Sequence, residues 1–132
     1  MADETMPASE AIRDVRPEDG KNSYELAFHI LPTVAEGEVA GVFTTLKSLI
    51  TNAGGESFDE EAPERVDLAY DIEKAIDGKR RRFHSAYFGW VRFRLSGDAI
   101  ESLTEEMGTH AEVLRFLLLK LTRQEEQAPF RY

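Results

Sequence analysis

The chain contains no cysteine. That excludes a disulfide scaffold and thiolate chemistry. No apolar run approaches the roughly 18 residues that a membrane-crossing helix needs. The start, Met1-Ala2-Asp3-Glu4, has neither the basic nor the apolar region of a secretion signal. These absences together predict a cytoplasmic protein with no membrane association. Catalytic signatures are missing as well. His29, His84 and His110 stand far apart, and neither HExxH nor GxSxG occurs. The acids between 56 and 67 do not follow a calcium-loop pattern and read as a solvated acidic loop. Gly54-Gly55 lacks the flanking residues of a phosphate loop and reads as a helix stop. We therefore expect no catalytic residue, metal, cofactor or small-molecule substrate.

What is present suffices for one domain. In 132 residues, 42% are hydrophobic and 10% aromatic, enough to form a core. The net charge of -9 taken alone disfavours a nucleic-acid binder, because phosphate attracts Lys and Arg. The distribution is more informative than the sum. Residues 1–20 carry six acids against Arg13 and Arg16, and residues 56–67 carry six acids against Arg65. Residues 79–94 hold Lys79, Arg80, Arg81, Arg82, Arg92 and Arg94 and no acid. One basic zone thus sits on an acidic body, and local potential steers a partner within a Debye length of about 8 Å.

Composition predicts an acidic, disordered tail over 1–22, a folded domain over 23–123 and a polar tail over 124–132. Tyr24, Leu26, Phe28 and Ile30 alternate as one face of a strand that Pro32 closes. Thr33 and Glu36 have capping-box spacing, and Val39, Val42, Phe43, Leu46, Leu49 and Ile50 share one helical face. A strand begins at Glu56, is interrupted or bulged at Ala62-Pro63, and resumes with Val66, Leu68, Tyr70 and Ile72 on one face. Asp77-Gly78 marks a tight turn, with Lys79, Arg80, Arg81 and Arg82 at its tip or just past it. The next strand, 86–95, places Tyr87, Val91, Phe93 and Leu95 on one face and Phe88, Trp90, Arg92 and Arg94 on the other. Ser96 caps a second helix that turns Ile100, Leu103 and Met107 inward and stops at Gly108, and 113–121 is a final strand. The order βαββαβ is that of an α+β, ferredoxin-like fold: a four-stranded antiparallel sheet with two helices on one face.

Four consecutive cations repel one another and add little stability, so a polyanion partner, RNA, is their natural rationale. Phe88 and Trp90, facing away from the expected core, read as an exposed pair for protein contact or sheet packing. The string from Phe88 to Phe93 overlaps the back half of an RNA-recognition-motif signature, but Ala86 and Tyr87 stand where its basic residue and glycine belong.

Several strings, in order, resemble the bacterial small-subunit (30S) ribosomal protein S6 family. They are Tyr24-Glu25, Pro32, Gly54-Gly55-Glu56, Leu68-Ala69-Tyr70 with Ile72 and Lys74, the run from Ala86 to Phe93, and Val113-Leu114-Arg115-Phe116 with Lys120. The resemblance spans about residues 24–123. It departs at Asp67 and Asp71, where the family usually has a basic residue and a proline, and in a longer hairpin around 74–85. The resemblance implies a non-enzymatic, ribosome-associated constituent of the small subunit. It would bind 16S-type rRNA together with ribosomal protein S18 during assembly. An acidic subunit can join an RNA particle by docking a basic partner, so only a limited basic patch need touch phosphate. On this reading Lys74, Lys79, Arg80, Arg81 and Arg82, backed by Arg92, Arg94, Arg115 and Lys120, are the expected RNA contacts. Phe88, Trp90, Pro129 and Phe130 are the expected protein-partner contacts. The alternatives are a stand-alone single-stranded RNA binder of the recognition-motif kind, and a ferredoxin-like small-molecule enzyme or sensor.

Overall fold

The computed structural model describes residues 20–122. The chain runs β1 (Lys21–Ile30), α1 (Val39–Asn52), β2 (Glu56–Ile76), β3 (Lys79–Ser96), α2 (Ile100–Thr109) and β4 (Val113–Leu121), with 3-10 turns Glu36–Glu38 and Gly97–Ala99 before the helices. The strands form one antiparallel sheet in the order β2-β3-β1-β4. This is the ferredoxin-like α+β arrangement that the alternating periodicities predict. The expected tails fall mainly on residues 1–19 and 123–132, outside the described residues, and Pro129 and Phe130 lie there too.

The main core forms where the periodic faces meet. Tyr24, Leu26, Phe28 and Ile30 of β1 and Tyr87, Val91, Phe93 and Leu95 of β3 pack under Val39, Val42, Phe43, Leu46 and Ile50 of α1 and Leu103 and Met107 of α2. Both helices therefore lie on one sheet face. Each large apolar side chain removed from water there contributes about 1.5–3 kcal/mol.

Local departures have local causes. β1 begins at Lys21 rather than Tyr24, because Lys21, Asn22 and Ser23 find ladder partners in Ser96, Leu95 and Arg94. The Thr33–Glu36 capping box does not form. The Val34 N–H donates to the Leu31 carbonyl at 3.2 Å, so Thr33 is spent inside a turn, and the 3-10 segment starts from Ala35 with no side-chain cap. Ser96 does cap, its hydroxyl accepting from the Asp98 N–H at 3.3 Å. α2 runs through Gly108 to Thr109.

The acidic run 56–67 is an edge strand and not a loop. β2 pairs only with β3, with register shifts between Ser57 and Asp59, Glu61 and Glu64, and Asp67 and Ile72. Charges and a proline on the free edge suit a strand that must not pair with another chain. The bulge at Ala62-Pro63 leans on Gly89: a Cβ there would stand 2.9 Å from the Glu61 carbonyl oxygen and 3.1 Å from the Pro63 nitrogen. Both obstacles are backbone and cannot rotate away. Gly89→Ala should therefore lower stability by about 1–3 kcal/mol in urea unfolding, and an unchanged midpoint would show that the bulge yields freely.

Beyond Val66 the β2–β3 hairpin becomes an arm. Asp77 (φ 54°) and Gly78 (φ 80°) occupy left-handed backbone, the signature of a two-residue type I′ turn. The arm curls over the end of the sheet. Leu68, Ile72 and Ile76 pack on a second small core of Leu31, Phe83, Ala86 and Leu114, and the Lys74 ammonium donates to the Val113 carbonyl of β4. Curling requires the bulge over 68–71, and that bulge reverses one expectation: Tyr70 does not share the inward face but is 86% exposed.

Candidate functional site

Two surfaces collect the residues that the sequence singled out. The first is the sheet face away from the helices. Alternation and register place Ser23, Glu25, Ala27 and His29 there from β1, Phe88, Trp90, Arg92 and Arg94 from β3, and Arg115, Leu117 and Leu119 from β4. No described helix covers it, and Leu117 and Leu119 are exposed.

Within this face the expected exposed Phe–Trp pair is not what the packing makes. Trp90 is only 6% exposed: its indole N–H donates to Glu61 at 2.9 Å, and the Arg92 guanidinium lies over its ring at 5.4 Å. The bulge in β2 brings Glu61 across, a tertiary event that strand parity cannot foresee. Phe88 is half-buried and meets His29 with ring centroids 5.0 Å apart. Burial, and then the Arg115 guanidinium, hold the His29 imidazole below its usual pKa, which favours its neutral form. Ala27, His29, Phe88, Arg115, Phe116 and Leu117 line a groove at the arm end of the sheet.

Arg92 also departs from its expected role. Its Nε donates to Glu25 at 2.7 Å, and both side chains are almost fully buried. A guanidinium held this way faces a carboxylate inside the sheet surface instead of solvent. Arg94 is half-buried at the other end of β3, Arg115 is exposed opposite His29, and Lys120 is exposed on β4 in register with Tyr24, whose side of the sheet is the helix side.

The second surface is the arm. The tight turn pairs Ile76 with Lys79, Ala75 with Arg80, Lys74 with Arg81 and Glu73 with Arg82. Glu73 bridges two guanidinia: Arg80 donates to its Oε1 at 2.8 Å and Arg82 to its Oε2 at 2.9 Å. The hydrogen bond from Arg82, then that from Arg80, hold the Glu73 carboxyl below its ordinary pKa, and Glu73 in turn raises that of Arg82. His84 meets Asp71 at 2.7 Å. Among the described residues Lys79 and Arg81 are exposed and carry no ion pair. Sequence reasoning missed Glu73, although counting back from Asp77-Gly78 places it opposite Arg82.

The expected RNA contacts are thus dispersed. Lys74, Lys79, Arg80, Arg81 and Arg82 share the arm, Arg115 stands at the same end of the sheet, and Arg92, Arg94 and Lys120 lie elsewhere. Among the described residues no group of His, Cys, Asp and Glu could hold a metal ion, and no helix is long and apolar enough to cross a membrane.

A family model described as ribosomal protein S6 matches residues 23–120. The chain is similar to small ribosomal subunit protein bS6 of Sulfurovum sp., 26% identical over 109 residues that cover 83% of this chain and 80% of the relative. It is similar to small ribosomal subunit protein bS6 of Chlamydia muridarum, 30% identical over 107 residues that cover 81% and 88%. Among solved structures, 30S ribosomal protein S6 from Thermotoga maritima matches with a TM-score of 0.66 and 22% identity, over 76% of this chain and 88% of that one. At that identity the likeness speaks for the fold.

Proposed function

Because the chain belongs to the ribosomal protein S6 family, whose members are small-subunit constituents and not enzymes, we propose that it joins the subunit through two surfaces. In this proposal the open sheet face docks ribosomal protein S18, and the arm end contacts 16S-type rRNA during assembly in the cytoplasm. One observation carries the reading: on the sheet face that no described helix covers, β4 presents two exposed leucines, Leu117 and Leu119, and Leu117 shares a groove with Phe88. Neighbouring exposed apolar side chains of this kind favour an interaction site. Phe88, Leu117 and Leu119 supply the contact, and Trp90, fixed by Glu61 and Arg92, keeps the patch rigid beneath it. Pro129 and Phe130 join the protein contact from the C-terminal segment. The exposed acids of β2, with the net charge of -9, favour a basic partner and disfavour binding RNA over the whole surface.

The test is sedimentation of a tagged full-length chain from lysate. It should travel with small-subunit particles, carrying rRNA and S18, and Leu117→Glu with Leu119→Glu should abolish the S18 association while changing the unfolding free energy by no more than about 1 kcal/mol. A chain that never sediments with the particles would sink the proposal. Tight binding of short single-stranded RNA without S18 would favour a recognition-motif type of binder.

A further inference from the structure

Resting on the RNA reading just given, we infer that RNA phosphates meet the arm on the face that carries Lys79 and Arg81, and that Glu73 withholds Arg80 and Arg82 from them.

Register and alternation divide the basic run. Cross-strand partners share a side, so Lys79 and Arg81 stand with Ile76 and Lys74, while Arg80 and Arg82 stand with Ala75 and Glu73. On the second side carboxylates offset the cations. The Glu73 carboxylate engages both guanidinia, one on each oxygen, and Asp71 meets His84 beside them. The first side is the one whose Ile72, Ile76 and Phe83 pack on the second core, yet near the turn Lys79 and Arg81 stay exposed on it with no carboxylate partner among the described residues. The Lys74 ammonium adds its charge to that side while bound to the Val113 carbonyl.

The competition for phosphate follows. A phosphate that engages Arg80 or Arg82 either displaces a carboxylate already at 2.8–2.9 Å or binds the remaining N–H groups beside that negative charge, and gains less in both cases. A phosphate that engages Lys79 or Arg81 displaces only water and counterions, and the counterions gain entropy on release. Of four consecutive cations, two therefore lack a competing carboxylate.

The experiment measures association of the full chain, with S18 supplied, to a 16S-type rRNA transcript across a salt series. Lys79→Gln with Arg81→Gln should lower the slope of log affinity against log salt by about 1.4–1.8, the value for two lost phosphate contacts. Glu73→Gln should steepen the slope, because it frees two guanidinia. Replacing the whole bridge with Glu73→Gln, Arg80→Gln and Arg82→Gln should leave the slope unchanged. Thermal melts of the variants that match the parent confirm that the arm persists. The inference falls if the triple variant loses as much slope as the Lys79/Arg81 variant, or if Glu73→Gln has no effect. It also falls if Lys79→Gln with Arg81→Gln spares RNA association but releases S18, which would make this side a protein contact. A parent chain without salt-dependent association overturns the RNA reading as well, whereas a salt-dependent parent with an unaffected Lys79/Arg81 variant overturns the inference alone.

Discussion

Arg92→Ala is expected to lower the unfolding free energy by about 3–5 kcal/mol, a large share of the stability of a domain this size. The substitution takes from the Glu25 carboxylate, buried in the sheet, the Nε–H that donates to it at 2.7 Å. It also strips the cation from the face of Trp90. The loss measures a buried carboxylate deprived of its guanidinium, and the intact pair need not stabilise the fold by that amount. Replacing both partners by apolar residues, Arg92→Met with Glu25→Leu, should recover most of it. Urea unfolding midpoints at constant m-value separate these cases. A single-variant loss under 1 kcal/mol would mean that water reaches Glu25. The same geometry predicts that Arg92 affects RNA association only through folding.

Phe28→Ala should cost about 3–5 kcal/mol and Tyr70→Ala less than about 0.5 kcal/mol. Both are aromatic residues in strands of alternating pattern, and sequence alternation assigns both an inward face. Phe28 is fully buried in the middle of β1, with strands on either side and the Phe43 ring 5.7 Å away. Its removal leaves a cavity that neighbours on a rigid sheet fill poorly. Tyr70 stands in the bulge between Asp67 and Ile72, facing solvent. Comparable losses for the two would contradict the bulge.

The contrast shows where sequence reading stops. Periodicity locates β1, α1, β3, α2 and β4 because each buries one regular face, and a regular face leaves its period in the sequence. β2 is an edge strand whose residues are mostly exposed or half-buried. Its period is broken by register shifts, and their positions depend on what the neighbouring strand will accept, as Gly89 accepts the Glu61 carbonyl and the Pro63 nitrogen. The same bulges brought Glu61 to Trp90 and turned Tyr70 outward. Residues that strand parity placed on an exposed face became, for Trp90 and Arg92, part of a buried polar layer.

The amino-acid sequence by itself determined the order of elements, the main core face, the absence of catalytic or metal-binding signatures and the existence of one basic zone, since these are local properties of composition and period. Only the tertiary structure decided which cations remain available. Arg92 is held by Glu25 from β1, which lies 67 positions away in the chain, and Arg80 and Arg82 are held by Glu73 across a hairpin. Ion pairing depends on distance in space. Separation along the chain carries that distance only where a tight turn fixes the register, as Asp77-Gly78 does for Glu73 and nothing local does for Glu25.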